Sequence, residues 1–330
     1  MLALGTIVAL AAGGTARAAD FYAGKTLTLL VGYAAGGGYD LNARLLSRHI
    51  GRHIPGHPSI IVQNMPGAGS LHALEYLQRS APADGTFVGL FDFTQITNSL
   101  LTPEHVPIDF RKFSWIGSIA QDLAVCYMWR AFGVTDLASA RTRPQINMGR
   151  TNPGSSSDIE QQMLHKLFHV NVHSVGGYGG SAEAALAVER GELDGGCLTW
   201  SSLPPEWSQQ HKIVPILKFS SATAPDLPPD LPNAVDIAEN DRSRQIIAVL
   251  SDAGEIGKPF ITQASVPADV VAILRAAFDE TMKDAQFLAD AATIRQPVTP
   301  KSAAQAQAIL QKFYATPPDI VKAARAVASE

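Results

Sequence analysis

The sequence is poor in charge and has no long run of one sign. Only 17% of its 330 residues are charged, and the formal net charge is -4. Proteins that bind nucleic acid normally present a basic patch or stripe. We therefore expect no nucleic-acid partner.

The sequence also lacks the short motifs of several enzyme classes. It has no G-x-S-x-G, no H-E-x-x-H and no complete Walker motif. The glycines at 36 to 38 do not continue as G-x-G-x-x-G, because Leu41 occupies the last glycine position. These absences disfavour common hydrolases, zinc proteases and dinucleotide-binding enzymes. We predict no catalytic residues and no cofactor, and an exported hydrolase or other α/β enzyme is the alternative.

Long apolar runs are missing as well. No segment approaches the roughly 18 apolar residues typical of a membrane helix. The shorter apolar stretch from Leu2 to Ala12 precedes Ala16-Arg17-Ala18, an A-x-A cleavage pattern. We predict a signal peptide over residues 1–18, cleaved near Ala18, and a soluble periplasmic mature protein. No Lys or Arg precedes this apolar stretch. Translation from a start codon further upstream would add the basic residues typical of a signal peptide.

Cysteine is scarce, with only Cys126 and Cys197 present. Both lie in apolar, strand-like segments of a chain expected in an oxidising compartment, where a disulfide is permitted. Two buried thiols and one bridge are the alternatives, and only geometry decides between them.

Histidines recur at four-residue steps, which places neighbours on one face of a helix. The series are His49, His53, His57 and His165, His169, His173. Pro55 and Gly56 interrupt the first series, and the second runs from a predicted helix into a predicted strand. We therefore predict no metal site.

The most distinctive stretch present is Gly32 to Asp40, with the sequence GYAAGGGYD. It lies between an apolar strand-like run, Leu27 to Val31, and a helix-like run, Leu41 to Ile50. Three consecutive glycines let a ligand approach the main chain closely, and Asp40 stands at the expected N-cap. Because a helix N-terminus presents free N–H groups, this stretch predicts an anion-binding loop.

Alternating strand and helix patterns follow this loop along the chain. Such β-α units indicate a mostly parallel sheet covered by helices, with ligands beyond the carboxyl ends of the strands. The predicted strands are 25–31, 59–63, 86–91, 145–148, 171–175, 195–200, 213–219, 246–250 and 258–262. The predicted helices are 41–50, 71–79, 158–168, 182–190, 270–283, 284–292 and 302–314.

The pattern of units restarts near residue 145, which indicates two lobes. The segment Trp115 to Trp129 has no glycine turn opening a helix, and we predict that it crosses over between the lobes. The C-terminal elements carry no glycine loop of their own, so we assign them to the first lobe. The predicted organisation is residues 19–125 plus 236–330 for lobe I and 126–235 for lobe II.

The signal peptide, GYAAGGGYD, the segment Asn64 to Ser70 and ADGTFVGL together resemble the periplasmic receptors of tripartite tricarboxylate transporters, the Bug or TctC-like family. The resemblance covers nearly the whole mature chain. It implies an α/β, two-lobed, type II-like periplasmic-binding-protein fold with a ligand cleft between the lobes. Here Tyr39 stands where the family commonly has Ser or Thr, and GGYGGS replaces a Pro-Tyr-Lys-Gly type of turn.

Mapping the family's loops onto this chain, together with nearby polar and aromatic positions, gives a set of candidate ligand-binding residues. Arg150 is a candidate guanidinium partner for a carboxylate, with a solvent-facing position as the alternative. For Tyr39, Phe93, Tyr178 and Trp200 the alternative is ordinary packing. The set is Ala35, Gly36, Gly37, Gly38, Tyr39, Asp40, Phe93, Thr94, Gln95, Arg150, Thr151, Ser155, Ser156, Ser157, Tyr178, Gly179 and Trp200.

The expected function is capture of a small carboxylate, di- or tricarboxylate or aromatic, and its delivery to membrane permease subunits. One carboxylate would lie against residues 36–40 and the other against residues 151–157. Asp40 cannot donate while ionised, so we expect it to cap its helix or to act through water. We expect a monomer, and a solute sensor that presents its ligand to a signalling partner is a further alternative.

Overall fold

The computed structural model describes residues 21–329. The predicted signal peptide, residues 1–18, lies outside the described residues. Within residues 21–329, every helix is too short or too polar to cross a bilayer.

Residues 21–329 contain eleven strands, divided between two mixed sheets. The first sheet has the order β11-β4-β10-β3-β1-β2 and the second the order β7-β6-β8-β5-β9. The strands are β1 Thr26–Val31, β2 Ser59–Asn64, β3 Phe87–Leu90, β4 Ser114–Ser118, β5 Ala124–Trp129, β6 Ile146–Gly149, β7 Val172–Val175, β8 Gly195–Thr199, β9 Ile213–Lys218, β10 Pro259–Thr262 and β11 Lys301–Ser302.

Only part of each sheet is parallel, so the prediction of mostly parallel sheets is wrong. Strand β1 pairs in parallel with β2 and β3, and β6 with β7 and β8. The pairs formed by β4, β5, β10 and β11 are antiparallel. Strand β5 enters its sheet after the crossover near residue 120, and β10 and β11 come from the C-terminal part of the chain. An alternating β-α pattern does not predict how such strands pair.

Twelve α-helices of the described residues cover these sheets. They are α1 Gly38–His49, α2 Leu71–Arg79, α3 Thr94–Leu101, α4 Leu137–Arg141, α5 Ser156–Lys166, α6 Ser181–Glu189, α7 Pro205–Gln209, α8 Asp241–Ser251, α9 Ala268–Thr281, α10 Ala285–Thr293, α11 Ala303–Tyr314 and α12 Pro318–Ala328. Short 3-10 turns lie at Ile50–His53, Ala68–Ser70, Phe110–Lys112, Arg130–Phe132, Trp200–Ser202 and Asp252–Glu255.

One predicted strand, residues 246–250, is wrong because the segment lies within α8. Its buried residues Ile246, Ile247, Val249 and Leu250 fit a helical stripe as well as a strand. The deciding feature is upstream, where the Asn240 side chain accepts a hydrogen bond from Ser243 N–H at 2.9 Å and caps the helix.

The two sheets share one apolar core. The largest buried cluster includes Phe91 and Trp115 of the first sheet's region together with Cys126 and Met148 of the second sheet. The last helix, α12, packs against both α3 and α5. The assignment of individual helices to lobes stays a prediction.

Cys126 and Cys197 form a disulfide, so the alternative of two free thiols is wrong. They lie directly opposite each other in the antiparallel pair of β5 and β8. Both are fully buried, and the bond therefore ties together two neighbouring strands of the second sheet from inside the core.

Candidate functional site

Loops from the two sheets meet in a cleft between the lobes. Three loops frame it, and each precedes a helix: the glycine loop, residues 32–37 after β1; the serine loop, residues 150–155 after β6; and the tyrosine loop, residues 176–180 after β7. They open into α1, α5 and α6 respectively. Each of these loops follows the carboxyl end of a strand, as expected for a ligand cleft in an α/β protein.

The glycine loop begins its helix earlier than the sequence suggests. Gly37 is the N-cap of α1, so Asp40 lies in the first turn and its predicted N-cap position is wrong. Gly36 has a φ of 89°, a left-handed conformation that glycine adopts without strain, and this turn lets the chain become helical at Gly38. Asp40 still contributes to capping, since its Oδ2 accepts from Gly36 N–H at 2.8 Å.

Asp40 is buried and fully engaged by its own lobe. Its carboxylate also accepts from Arg44 Nε at 2.8 Å and from Asn64 Nδ2 at 3.0 Å. Burial raises the pKa of this carboxyl, but the bonds from Arg44, Gly36 and Asn64 outweigh burial and lower the pKa. Asp40 thus rigidifies the glycine loop through protein contacts.

The loops of the two lobes contact each other directly. Ala34 N–H donates to Gly179 O at 3.4 Å, and Gly38 N–H donates to Ser181 Oγ at 3.4 Å. Gly38 also faces Ser202 so closely that a Cβ at this position would overlap the Ser202 hydroxyl. The glycine loop is therefore in close contact with the second lobe.

A buried carboxylate, that of Asp92, lies where both lobes converge. Asp92 has no exposed surface, and Oδ2 accepts from Tyr33 Oη at 2.6 Å and from Ser156 N–H and Oγ at 3.3 and 3.2 Å. Oδ1 accepts from Thr94 N–H and Oγ1 at 3.0 and 2.8 Å and from Tyr39 Oη at 3.3 Å. Every one of these donors is neutral, so hydrogen bonds alone hold the anion.

The two tyrosines stack beside this carboxylate, with ring centroids 5.2 Å apart. Burial first, and then the charge of Asp92, raise the pKa of the Tyr33 and Tyr39 hydroxyls well above the ordinary range. Both hydroxyls therefore stay protonated and act as donors.

A buried ion pair adjoins the tyrosines. Lys258 Nζ donates to Asp122 Oδ1 at 2.7 Å and lies 4.2 Å from the centroid of the Tyr39 ring. Thr199 Oγ1 donates to the same Asp122 oxygen at 2.7 Å. This pair places one positive and one negative charge at the centre of the cleft.

Glu160, on α5, is a third carboxyl group of the cleft and is buried. Burial, followed by the charges of Asp122 and Asp92, raises the pKa of Glu160 well above its ordinary range, although Lys258 opposes the shift. These surroundings favour the neutral form of Glu160. Its Oε2 lacks a hydrogen-bond partner among the described residues.

The serine loop is braced by an ion pair within its own lobe. Arg150 Nη1 donates to Asp158 Oδ1 at 2.8 Å, and Asp158 Oδ2 accepts from Gly154 N–H at 2.7 Å. The Arg150 side chain is only 13% exposed, so the solvent-facing alternative is wrong. Its role as a ligand contact stays a prediction.

Within residues 21–329, we describe three cavities along the interface of the lobes. The small interlobe cavity, of about 40 Å³, lies between the glycine loop and the second lobe. A space of about 10 Å³ beside Glu160 and Thr94 has room for about one water molecule. The third, which we call the chamber, measures about 970 Å³. The small cavity is lined by Tyr33, Gly37, Gly38, Tyr39, Thr151, Ser156, Ser157, Gly180, Ser181, Leu198, Thr199, Ser202 and Lys258.

The chamber is mainly apolar and adjoins the small cavity. Thr199, Ser202 and Lys258 line both spaces. Its apolar wall comes from both lobes and includes Leu41, Leu186, Trp200, Trp207 and Ile294.

The cavities bring together most, though not all, of the predicted site residues. Gly37, Gly38, Tyr39, Thr151, Ser156 and Ser157 line the small cavity, Gly36 and Trp200 line the chamber, and Phe93 and Thr94 line the space beside Glu160. The others, Ala35, Asp40, Gln95, Arg150, Ser155, Tyr178 and Gly179, line none of these three cavities. Their roles as ligand contacts stay predictions.

Sequence reasoning missed the charged and phenolic centre of the cleft: Tyr33, Asp92, Asp122, Glu160 and Lys258. Asp92 carried a usable signal, because it lies two residues beyond the carboxyl end of strand β3. Asp122 and Lys258 are 136 positions apart in sequence, and only the fold brings them together.

The histidine series have other partners. His49 Nε2 lies 2.9 Å from Asp290 Oδ2, and His53 Nε2 lies 2.8 Å from Asp284 Oδ2, which joins α1 and the following turn to α10. Within residues 21–329 no group of three or more His, Cys, Asp or Glu side chains is arranged to hold a metal ion.

Comparison with known proteins rests on structure, since no family profile and no curated protein matched the sequence. The periplasmic binding protein BugD is 18% identical, with a TM-score of 0.76 over 94% of this chain and 99% of BugD. MatC from Rhodopseudomonas palustris, solved with bound malate, is 19% identical, with a TM-score of 0.72 over 90% of this chain and 99% of MatC.

A second R. palustris protein, solved with adipate, is 19% identical, with a TM-score of 0.71 over 91% of this chain and 97% of its own. These likenesses extend over nearly the whole length of each protein. The α/β, two-lobed architecture expected from the sequence is confirmed. The chain therefore has the two-lobed fold of the periplasmic binding proteins to which it is similar.

Proposed function

We propose that this chain is an exported solute-binding protein of the Bug or TctC-like family. It captures a small carboxylate in the interlobe cleft and delivers it to the permease of a tripartite tricarboxylate transporter. The observation that carries the proposal is the small interlobe cavity, in which Gly37 and Gly38 of one lobe face the hydroxyls of Ser181 and Ser202 of the other. The ligands bound in two similar structures, malate and adipate, are carboxylates and support this class of solute.

The energetics favour a site shared by both lobes. A helix N-terminus contributes about 0.3 to 1 kcal/mol per anion, whereas micromolar affinity requires about 8 kcal/mol. Hydrogen bonds to a charged group contribute about 1.5 to 3 kcal/mol each. Several donors must therefore converge, and the glycine loop, Ser181 and Ser202 surround one small cavity from opposite lobes.

The cleft composition favours binding over catalysis. Four serines line the small interlobe cavity beside the glycine loop, but none of the described residues lining the three cavities is a histidine. The Ser-His pairing of common hydrolases is therefore missing from these walls. Purified protein is expected to hydrolyse none of a panel of simple esters.

Native mass spectrometry of freshly purified protein tests the function. We expect a retained adduct with the mass of a small carboxylic acid, lost after partial unfolding and dialysis. Addition of a carboxylate panel to the dialysed protein should raise the melting temperature for at least one member. The absence of any shift across mono-, di- and tricarboxylates would contradict the proposal.

A variant pair locates the site. Gly37→Val should abolish the ligand-induced shift, because the added side chain grows toward Ser181 Oγ, 3.2 Å from the position of a Cβ. Leu288→Val is the control, because Leu288 on α10 is 40% exposed and lines none of the three cavities. Equal shifts in both variants would place the ligand elsewhere.

The transport role has its own test. Membrane vesicles that contain the cognate large and small permease subunits should take up the labelled solute only when this protein is added. Uptake at the same rate without it would favour a sensing role.

A further inference from the structure

Asp92 occupies a position that the expected binding mode assigns to the ligand. A dicarboxylate bridging the lobes would place its second carboxylate at the N-terminus of α5, against residues 151–157. In the structure, Ser156 N–H and Oγ at that N-terminus donate to Asp92 Oδ2. The chain's own carboxylate thus takes up the donors that a second ligand carboxylate would need.

The surrounding charges oppose a further anion at the same place. Asp122 is already neutralised by Lys258, with 2.7 Å between their charged atoms. Asp92 has only neutral partners. Another carboxylate beside Asp92 would place two like charges together in a buried environment, where screening is weak.

A single carboxylate does have a place nearby. The small interlobe cavity of about 40 Å³ offers Gly37 and Gly38 on one side and the hydroxyls of Ser181 and Ser202 on the other. Because about 10 to 15 Å³ holds one water molecule, this space matches a head group of a few heavy atoms.

The rest of the solute then extends into the chamber. At about 970 Å³ the chamber is at the upper end of the range for small-molecule sites, and its wall is mainly apolar. It meets the small cavity at Thr199 and Ser202. A small dicarboxylate would leave this apolar volume unused, whereas an alkyl or aromatic body would fill it.

We propose that Asp92 is the specificity-determining residue of this cleft. Asp92 restricts the solute to a molecule with one carboxylate group attached to a bulky apolar body. The inference rests on the proposed function. It narrows the solute class from carboxylates in general to amphipathic monocarboxylates.

Calorimetry with octanoate and octanedioate, which differ only by the second carboxylate, tests the role of Asp92. The wild type should bind octanoate at least tenfold more tightly than octanedioate. Asp92→Ser, which vacates the anion position, should bind octanedioate at least tenfold more tightly than the wild type does.

Two further variants keep this test decisive. Asp279→Asn removes one negative charge from an exposed position of α9 and should leave both affinities unchanged. If Asp92→Ser does not fold, Asp92→Asn, which keeps the shape and removes the charge, must reduce the preference for octanoate at least threefold.

The results separate the possible failures. Equal wild-type affinities for the two probes, or an unchanged ratio in the folded Asp92 variant, would overturn the role of Asp92 while leaving a carboxylate-binding protein. Failure of a broad carboxylate panel to bind the wild type or the variant would overturn the proposed function itself.

The chamber is tested with two leucines of similar exposure. Leu186 lines the chamber and is 43% exposed, whereas Leu288 on α10 is 40% exposed and does not line it. Leu186→Glu should weaken octanoate binding about tenfold, and Leu288→Glu should leave it unchanged. Equal octanoate affinity in both variants would remove the chamber from the binding site.

Discussion

At the scale of single residues, the cleft is a set of polar groups whose surroundings fix their protonation. Tyr33 and Tyr39 stay protonated because burial and the charge of Asp92 raise their pKa. They therefore donate to Asp92, which accepts on both oxygens. The result is a hydrogen-bonded shell around Asp92 that does not depend on a solute.

A single residue, Gly38, sets how closely the two lobes approach each other. Gly38→Ala adds a methyl group that overlaps the Ser202 hydroxyl across the cleft. Since Ser202 can rotate or the lobes can separate slightly, the fold should survive. We expect octanoate affinity to fall about tenfold, or about 1.4 kcal/mol, with the ligand-free melting temperature unchanged.

Calorimetric titration measures this loss, and Leu288→Ala serves as the control, because Leu288 on α10 is exposed and lines none of the three cavities. Both variants should have the same circular dichroism spectrum. A Gly38→Ala affinity equal to that of the control would show that the lobes do not need this close approach.

The raised pKa of Glu160 predicts that the stability of the folded protein depends on pH. Because burial and the charges of Asp122 and Asp92 raise its pKa in the folded state, the folded protein holds this proton more tightly than the unfolded chain. The stabilisation is present below the ordinary value of 4.5 and is lost as the pH rises above it. Glu160→Gln should therefore melt higher than the wild type by about 2 °C or more at pH 7.5.

The difference should shrink toward zero near pH 4.5, where the unfolded chain also holds the proton. Melting curves from pH 4.5 to 8 for both proteins measure it. A constant difference across this range would show that the pKa of Glu160 is the same in the folded and unfolded states.

At the scale of secondary-structure elements, the site depends on helices that begin at small residues. Gly37 precedes α1, Ser155 precedes α5 and Gly180 precedes α6. Gly37 and Gly180 have no side chain and the Ser155 side chain makes no capping bond, so N–H groups at these helix ends stay available to partners from the opposite lobe. Ser156 N–H, which donates to Asp92, is one example.

The disulfide gives an element-scale prediction. Cys126 and Cys197 are 71 positions apart, and closing a loop of this length removes much of the freedom of the unfolded chain. Reduction should therefore lower the free energy of unfolding by about 2 to 4 kcal/mol. Urea unfolding of oxidised and reduced wild-type protein measures the effect, and coincident midpoints would contradict it.

Local pattern predicted most of the elements, and the exceptions have physical causes. The apolar run Ile246 to Leu250 fits both a helix and a buried strand, so only the Asn240 cap identifies α8. The sequence predicts a start of α1 at Leu41 because Asp40 suits an N-cap, but Gly37 is the N-cap and the Asp40 bond to Gly36 N–H stabilises the earlier start. Antiparallel strands such as β10 depend on contacts distant in sequence.

At the scale of the whole molecule, the two lobes share a core. One apolar cluster contains Phe91 from the first lobe and Met148 from the second. We expect both lobes to unfold in a single calorimetric transition. Octanoate at 100 times its dissociation constant should raise the free energy of unfolding by about 2.7 kcal/mol. Two resolved transitions, with only one shifted by octanoate, would contradict a shared core.

The site itself was only partly predictable at this scale. The glycine and serine loops were identified because small residues cluster between a strand and a helix. The Asp92 shell was not, because Tyr33, Thr94 and Ser156 come from three separate segments. Sequence patterns indicate where a chain turns, whereas the charge balance of a cleft depends on which turns meet.

The bond between Cys126 and Cys197 has a topological consequence. It closes a covalent ring that contains β6, β7 and the helices α4, α5 and α6. One peptide-bond cut inside this ring, for example after the exposed Arg190 at the end of α6, leaves two fragments that are still covalently joined. The nicked protein should migrate as one band on a denaturing gel without reductant and as two bands with reductant. New chain ends can therefore be placed in this ring without separating the halves of the second lobe.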